Sequence, residues 1–310
     1  MTDTYLLIAT ANRAKLLSRT LQSLADCHKP AGFAGVMVIE NGAACGSESI
    51  CQQQYGDLNV LYRWSSVPNK SHALNVAIEH IPDNSLIIFG DDDIRYSPQT
   101  LIAYKQASQL EPQGAFFGGP FGCDYEVKPP SWMLPYLPLS AVGWQPDPVT
   151  FDTTNDRFIG FNWAAFCHDI KRLGGFDPNF GPGSPTGATG QETNMQRRMY
   201  AAGMKSQLVA DAVVYHFVPG DRCSIDWTVN RARRNGISRG IARRERAVTD
   251  IAISHWDNSV RLITSTATKW LTSPLPHSWL HFQSRYSQQK ALGYFTGFRT
   301  EPSQSTRRAA

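Results

Sequence analysis

The sequence predicts an α/β fold in which a mostly parallel sheet is flanked by helices. Short apolar runs with the length of strands alternate with segments in which apolar residues recur at the helical spacing. The runs are continuously apolar, which is typical of parallel strands that are buried on both faces. The chain has 310 residues, of which 42% are hydrophobic and 18% charged. These values indicate a globular protein with a substantial core.

Four strands and two helices are expected in the N-terminal third of the chain. The strands are expected at residues 5–9, 36–39, 60–62 and 86–89, and the helices at residues 14–25 and 71–81. Ligands of such sheets bind at the carboxyl ends of the strands. The polar residues that follow each strand are therefore the first candidates for a functional site.

Polar clusters follow three of these strands. Residues 10–13 follow the first strand, residues 40–41 follow the second, and Asp91, Asp92 and Asp93 follow the fourth. Adjacent carboxylates repel one another, and burying them is costly unless a cation lies among them. The triplet therefore predicts either a solvated surface turn or a site for a hard divalent cation such as Mg²⁺ or Mn²⁺.

The remainder of the chain divides into a second part of the sheet domain and a basic extension. Residues 118–148 are rich in Pro, Gly and Trp, which favours a long loop. A helix is expected at residues 193–202, and short strand regions at 208–210 and 212–215 lead to His216.

We therefore expect a sheet domain at residues 1–220 and a mainly helical extension at residues 221–310, with a disordered tail. Eight arginines lie between Arg222 and Arg246, against Asp226 and Glu245. This basic segment suits either peripheral contact with a membrane surface or a solvated helical face packed on the core.

Several classes of protein are disfavoured by composition. The net charge of +4 does not indicate a nucleic-acid-binding protein. The N-terminus lacks the basic start and apolar centre of a signal peptide, and no segment approaches the ~20 apolar residues of a membrane span. The six cysteines include no CxxC pair, which favours reduced thiols over a disulfide scaffold or a zinc site. We expect the protein to lie in the cytoplasm, either free or at the inner face of the membrane.

Seven motifs in one order over residues 5–216, about two thirds of the chain, carry a family resemblance. They are LIATANR, VIENG, NKSHALN, FGDDDI, GFNWAAF followed by GGFD, GQETNMQRRMYAAG, and VVYH. In this order they resemble an inverting family-2-type glycosyltransferase with the GT-A fold. The resemblance implies a nucleotide-diphosphate-sugar donor, bound Mn²⁺ or Mg²⁺, and transfer to a hydroxyl of a saccharide or lipid-linked acceptor. It also implies a role in the synthesis of surface polysaccharide or another glycoconjugate.

The resemblance also assigns expected roles to individual residues. Those that would bind the donor are Thr10, Asn12, Arg13, Glu40, Lys70, Asn75, Asp91 and Asp92. The metal ligands would be Asp91, Asp93 and His216, and Asn162 and Trp163 would contact the sugar or acceptor. Glu40 stands where the family usually has an aspartate that contacts the base or ribose, so the identity of the base stays open.

Glu192 is the expected catalytic base. A positioned carboxylate can deprotonate the acceptor hydroxyl as it attacks the anomeric carbon. Glu192 lies at the start of a predicted helix, where an acidic residue could instead serve only to stabilise the helix terminus. Many members of the family have Glu-Asp at this point, whereas this chain has Thr193 after the glutamate.

Three other classes of protein share parts of this pattern. A phosphatase of the haloacid-dehalogenase type needs a small or hydroxyl residue two positions after its second aspartate, where this chain has Arg95. A sugar-nucleotide nucleotidyltransferase needs a glycine-rich N-terminal signature, which LIATANRAKLL lacks. A non-catalytic nucleotide-sugar-binding or carbohydrate-binding protein on the same fold remains the alternative, although it would not need Asp91, Asp93 and Glu192 together.

Overall fold

The computed structural model describes residues 2–111, 113–244 and 248–300. The chain forms two compact units. The sheet unit contains the chain up to Glu126, Leu137–Pro178 and Gln191–Val218, and the helical unit contains Val127–Tyr136, Asn179–Gly190 and the chain from Pro219 onward. The domain boundary predicted from the sequence lies after residue 220. That prediction did not include Val127–Tyr136 and Asn179–Gly190, which belong to the helical unit. The predicted disordered tail after residue 300 and Arg246 lie outside the described residues.

Ten strands are described. They are β1 (Thr4–Thr10), β2 (Phe33–Asn41), β3 (Val60–Ser65), β4 (Leu86–Asp91), β5 (Ile94–Tyr96), β6 (Ala115–Gly118), β7 (Phe121–Tyr125), β8 (Trp163–Phe166), β9 (Lys205–Leu208) and β10 (Val214–Val218). Seven form a sheet in the order β3-β2-β1-β4-β8-β6-β9, and three form a second sheet in the order β5-β10-β7. In the large sheet only β8 runs antiparallel to its neighbours. The mostly parallel α/β fold is therefore confirmed.

Nine α-helices are described. They are α1 (Ala14–Ala25), α2 (Ser47–Cys51), α3 (Lys70–Ile78), α4 (Thr100–Leu110), α5 (Cys167–Arg172), α6 (Gln191–Ala201), α7 (Ile225–Arg244), α8 (Val248–Leu271) and α9 (Trp279–Arg299). Helix α1 has the predicted bounds, whereas α3 ends three residues earlier than predicted and α6 begins two residues earlier. The segment 118–148, predicted as a loop, contains β7 and two short 3-10 helices, Ser131–Tyr136 and Leu139–Ala141.

The central strands are apolar throughout because they separate two cores. In β1, Leu6 and Ile8 pack into one hydrophobic cluster, while Leu7 packs into another on the opposite face. Side chains alternate between the faces of a strand, so a strand covered on both sides needs an uninterrupted apolar run. This arrangement brings the polar residues after β1, β2 and β4 to one edge of the sheet.

The corner between the two sheets positions the acidic triplet. Strand β4 ends at Asp91, a turn contains Asp92 and Asp93, and β5 begins at Ile94. Strand β10 pairs with β5 so that His216 lies opposite Ile94. A histidine that is 123 residues away in sequence from Asp93 is thereby placed beside the turn.

Helices α7 and α9 of the helical unit pack with their backbones in close approach. Gly236 and Gly240 on α7 face Gly293 and Gly297 on α9. A Cβ atom on any of the four would overlap a backbone oxygen of the other helix. Such glycine pairs four residues apart permit Cα–H···O contacts between helices. Within residues 2–111, 113–244 and 248–300, no helix is long and apolar enough to cross a bilayer.

We predict that Gly240→Ala lowers the free energy of unfolding by about 1–3 kcal/mol, because its methyl group would overlap the carbonyl oxygen of Tyr294. Helix propensity alone would favour alanine by about 1 kcal/mol. Urea unfolding followed by circular dichroism measures the change. The control is Arg234→Ala, at an exposed position of the same helix. A Gly240→Ala protein that is more stable than the wild type would contradict the close packing.

Candidate active site

Two of the three aspartates are buried, so the turn that contains them is not a solvated surface turn. Asp92 is 3% exposed and Asp93 4%, while Asp91 at the end of β4 is partly exposed. Desolvation of like-charged carboxylates strongly disfavours their ionised forms. The structure must therefore supply positive charge at this corner.

Arg13 and Lys70 supply that charge from two separate elements. The Arg13 Nη1 atom lies 3.0 Å from Asp92 Oδ1 and 2.8 Å from Asp93 Oδ2, and the Lys70 ammonium is paired with Asp91. Arg13 immediately precedes α1, and Lys70 is the first residue of α3. Burial opposes the charge on each cation, but the carboxylates outweigh it and raise the pKa of both.

Two cations do not fully compensate three carboxylates. Burial, followed by repulsion from the neighbouring aspartates, raises the pKa of Asp92 and of Asp93 above the ordinary value. The corner is therefore short of positive charge when only protein groups are considered. A further cation would relieve the repulsion.

Asp92 turns inward and positions the groups around it. Its Oδ2 atom accepts a hydrogen bond from the Thr10 hydroxyl at 2.7 Å, and its carbonyl oxygen accepts one from the Thr20 hydroxyl at 2.8 Å. Thr20 was missed by the sequence reasoning. It lies between Leu17 and Leu21 on the apolar face of α1, and a buried polar residue on such a face was the available signal.

His216 is a neutral imidazole that faces Asp93. Its Nδ1 lies 2.8 Å from the carbonyl oxygen of Ser140, so Nδ1 carries the hydrogen, and burial lowers the pKa of His216 to about 4. Its ring stacks on Phe161, with centroids 4.7 Å apart. The Nε2 atom, which holds a lone pair in this tautomer, lies 3.5 Å from Asp93 Oδ1. The lone pair of His216 Nε2 and the carboxylate of Asp93 face each other, and together they could bind one shared cation or proton.

The predicted metal ligands are only partly assembled. Asp93 and His216 face each other, whereas Asp91 is paired with Lys70. In the described part of the chain, no group of three or more His, Cys, Asp or Glu side chains is arranged to hold a metal. Asp91 is still close enough to raise the pKa of Asp93 and to favour the charged form of His216. Carboxylate oxygens and a neutral imidazole are suitable ligands for a divalent cation, and these three side chains could supply them if Asp91 released Lys70.

Glu192 lies in the first turn of α6, beside Lys70 and Gly160. Its negative charge contributes to the raised pKa of Lys70. A Cβ atom on Gly160 would lie 3.3 Å from Glu192 Oε2, so the absence of a side chain there makes room for the carboxylate. Lys70 thus stands within electrostatic reach of both the predicted base and the acidic triplet.

The chain matches a family model described as "Glycosyltransferase like family 2" over residues 2–158, about half of its length. The chain belongs to this glycosyltransferase family. Among curated proteins, no match to the sequence was found.

Solved structures of glycosyltransferases resemble the fold of this chain. The mannosyltransferase PcManGT from Pyrobaculum calidifontis, in complex with GDP-Man and Mn²⁺, matches with a TM-score of 0.60 and 18% identity over 96% of this chain and 88% of that one. A fragment of S. aureus TarS in complex with UDP-GlcNAc matches with a TM-score of 0.53 and 11% identity, over 99% of this chain and 92% of that one. GalNAc-T7 with UDP, GalNAc and Mn²⁺ matches with a TM-score of 0.50 and 12% identity, over 76% of this chain and 50% of that one. These likenesses confirm the GT-A fold.

Glu40 of the glycosyltransferase is fully buried and holds the segment that follows β2. Its Oε1 atom accepts hydrogen bonds from the Cys45 amide at 3.0 Å and the Ser47 hydroxyl at 2.6 Å, and its Oε2 atom accepts one from the Tyr62 hydroxyl at 2.7 Å. Burial opposes ionisation, but these hydrogen bonds outweigh it and lower the pKa of Glu40. Ser47 and Tyr62 were missed by the sequence reasoning. The contact of Glu40 with a base or ribose stays a prediction.

Asn12 and Asn75 differ in what their side chains do. Asn12 is exposed in the turn after β1 and has a positive φ of 55°, a conformation that asparagine tolerates better than most residues. The side chain of Asn75 donates to the carbonyl oxygen of Phe176 at 2.8 Å and accepts from its amide at 2.7 Å. Asn75 thus fixes the GGFD loop on α3, and its contact with the nucleotide stays a prediction.

Asn162 and Trp163, which were predicted to contact the sugar or acceptor, are enclosed by protein. Asn162 is 1% exposed; its amide donates to the carbonyl oxygens of Pro120 and Ala212, and its Oδ1 accepts from the Tyr104 hydroxyl. Trp163 is 1% exposed and stacks on Phe89, with ring centroids 4.4 Å apart. Both side chains stabilise the surrounding framework through these contacts, and their contact with a sugar or acceptor stays a prediction.

We predict that Asn162→Ala destabilises the protein by at least about 2 kcal/mol, because it leaves buried carbonyl and hydroxyl groups without their partner. Thermal or urea unfolding of the variant measures this loss. The matched control is Asn155→Ala at an exposed position, which should be nearly neutral. An Asn162→Ala protein with unchanged stability and a selective loss of sugar binding would instead support the predicted sugar contact.

Proposed function

We propose that this glycosyltransferase moves a sugar from a nucleotide-diphosphate donor to an acceptor hydroxyl, with inversion and with the help of a divalent metal. The observation that carries the proposal is the convergence of the buried triplet, Arg13, Lys70, His216 and Glu192 at the carboxyl ends of β1 and β4. Structural relatives captured with GDP-Man and Mn²⁺, and with UDP-GlcNAc, support a donor of this class.

Arg13 and Lys70 are placed to receive the donor diphosphate. Both are partly accessible, with side chains 35% and 13% exposed, and both are now held by carboxylates. Phosphate oxygens are strong acceptors for guanidinium and ammonium groups. On donor binding, these cations can therefore exchange part of their contact with the triplet for contact with the diphosphate.

Asp91, Asp93 and His216 would hold the Mn²⁺ or Mg²⁺ ion. When bound, the ion would supply positive charge that stabilises the diphosphate as it leaves. Asp92 has a different role, because it holds Thr10 and Arg13 in place through its carboxylate. Thr10 and Arg13 are thereby kept at the edge of the sheet where the donor would bind.

Glu192 would act as the base. Its carboxylate would accept the proton of the acceptor hydroxyl as that oxygen bonds to the anomeric carbon and the bond to the diphosphate breaks. Attack from the face opposite the leaving group gives inversion. The acceptor would be a saccharide or a lipid-linked saccharide in surface polysaccharide or glycoconjugate synthesis, on the cytoplasmic side.

A thermal-shift panel tests the proposal. UDP-, GDP-, dTDP- and CMP-sugars are added to the wild-type protein with and without Mn²⁺, and release of the nucleotide is then followed for any donor that stabilises it. We expect one class of donor to raise the melting temperature, and to do so more with Mn²⁺. Absence of stabilisation by every donor would contradict the proposal. Stabilisation without turnover on any saccharide acceptor would favour a binding protein.

We predict that Glu192→Gln retains the donor affinity of the wild type but lowers kcat by about 10²–10⁴-fold, because the amide cannot accept the proton. Steady-state kinetics and donor titration separate the two quantities. Glu79→Gln, at the exposed C-terminal end of α3, is the matched control and should behave as the wild type. A Glu192→Gln enzyme within threefold of wild-type turnover would place the base elsewhere.

We predict that Asp93→Asn removes the effect of Mn²⁺ on donor affinity, because a neutral amide is a poor ligand for a hard cation. Titration of the donor with and without Mn²⁺ measures the effect. Asp124→Asn, which alters an exposed carboxylate paired with Arg95, serves as the control. An undiminished Mn²⁺ effect in the Asp93→Asn protein would rule out its role as a ligand.

A further inference from the structure

Helix α8 carries a row of large apolar side chains on its exposed side. We call it the outer stripe; it consists of Ile253, Trp256, Val260, Ile263, Ala267 and Trp270, which recur at helical spacing. Ile253 is 63% exposed, Trp256 72%, Ile263 70% and Trp270 76%. At a rise of 1.5 Å per residue, the stripe is about 25 Å long.

The opposite side of α8 is covered and mostly polar, with Ile251 and Leu262 as its partly buried apolar residues. Ser254 and Ser265 are buried, His255 Nδ1 lies 3.1 Å from the Tyr294 hydroxyl, and Lys269 reaches Gln288 on α9. A surface helix ordinarily buries its apolar face and exposes its polar one. Helix α8 instead exposes most of its large apolar side chains, so its outer stripe is suited to an apolar environment beyond the chain.

The apolar surface continues past the end of α8 to the start of α9. Leu271 and Leu275 are 70% and 65% exposed, and Trp279 and Leu280 are half exposed. Together with Trp256 and Trp270, this surface presents three tryptophans. Tryptophan is preferred at the boundary between lipid and water, because its ring is apolar and its indole N–H can still find an acceptor.

The charge of the helical unit matches an anionic surface. Its segments, residues 127–136, 179–190 and 219–310, contain 16 Lys and Arg against 6 Asp and Glu, a net charge of +10. The rest of the chain contains 14 against 20, a net charge of −6, which together give the +4 of the whole. Positive charge is thus concentrated in the same unit as the outer stripe.

Cations lie beside α8 as well. Burial, followed by repulsion from Arg239 and Arg261, lowers the pKa of Lys290, which shows that these three positive groups from α7, α8 and α9 are close together. A groove of about 470 Å³ runs between α8 and α9. Trp256, Val260 and Leu280 contribute apolar walls to it, and Arg261, Gln283 and the carboxyl group of Asp257 contribute polar ones. Lipid headgroups offer phosphates for such cations next to acyl chains for such walls.

A second copy of the chain fits this surface less well than a bilayer does. The outer stripe includes the exposed Trp256 and Trp270, and tryptophan is preferred at the boundary between lipid and water. Two helical units of charge +10 would also repel each other. Both features instead favour attachment to an anionic membrane.

We propose that α8 lies in the plane of an anionic lipid bilayer, with the outer stripe inserted at the level of the headgroups and the neighbouring cations on lipid phosphates. The sequence suggested membrane contact through the arginine-rich region at residues 222–246. The structure assigns the apolar part of that contact to α8. The inference does not depend on the proposed metal or base, and it would bring the enzyme to the surface where a lipid-linked acceptor is found.

Flotation of the full-length protein with vesicles tests the proposal. Vesicles of phosphatidylcholine with 30% phosphatidylglycerol are compared with vesicles of phosphatidylcholine alone. We expect binding to the anionic vesicles that weakens in 0.5 M NaCl, and quenching of tryptophan fluorescence by brominated anionic lipids. The quenching experiment uses only the wild-type protein, so its result does not depend on whether a substitution affects folding.

The decisive variant changes Trp256, Ile263 and Trp270 to serine. Because all three side chains are exposed, circular dichroism should remain that of the wild type, while vesicle affinity should fall at least about tenfold. The matched control changes Trp64, Leu110 and Val149 to serine, which removes three exposed apolar side chains from the sheet unit and should leave vesicle binding intact.

Three results would overturn the proposal. They are absence of wild-type binding to anionic vesicles, equal binding by the triple variant, and absence of quenching by brominated lipid. Light scattering of the wild type without vesicles measures whether the protein forms dimers. A dimer that forms without vesicles and is broken by the triple variant would assign the outer stripe to self-association instead.

Discussion

The burial of two carboxylates, Asp92 and Asp93, beside a third at the end of a central strand is the constraint on which the site depends. Asp92 and Asp93 are almost inaccessible, and their desolvation would disfavour the folded state if positive charge were not brought to them. Arg13 and Lys70 bring that charge from the turn after β1 and from the start of α3. The order β2-β1-β4 in the sheet is what allows side chains so far apart in sequence to meet.

The same ion pairs connect the donor-free structure with the proposed chemistry. The cations that hold the triplet are the groups that a diphosphate attracts, and the carboxylates that hold the cations are the groups that a metal attracts. Under the proposed function, binding of donor and metal together would be an exchange of partners within a charged cluster. The inward-facing Asp92, which accepts a hydrogen bond from Thr10, would stay fixed during that exchange.

The sequence predicted the sheet and the position of the triplet because continuous apolar runs and the polar residues after them are local signals. It could not show which way a polar side chain points. Asn162 was expected to face a ligand, but it instead satisfies the backbone at Pro120 and Ala212, and the sequence pattern GFNWAAF is compatible with either orientation. Strands of three or four residues, such as β5 and β6, are too short to show periodicity. Helical periodicity likewise reveals two faces of α8 but not which of them is covered.

The central claim is that diphosphate and metal replace the protein's own ion pairs in one coupled event. Titration of Mn²⁺ followed by electron paramagnetic resonance, in the absence and presence of saturating GDP or UDP, tests it most directly. The account predicts that the nucleoside diphosphate that binds raises the affinity for Mn²⁺ at least about tenfold, because it draws Lys70 and Arg13 away from the carboxylates and adds phosphate ligands. Equal Mn²⁺ affinity with that nucleoside diphosphate bound and without it would contradict the account.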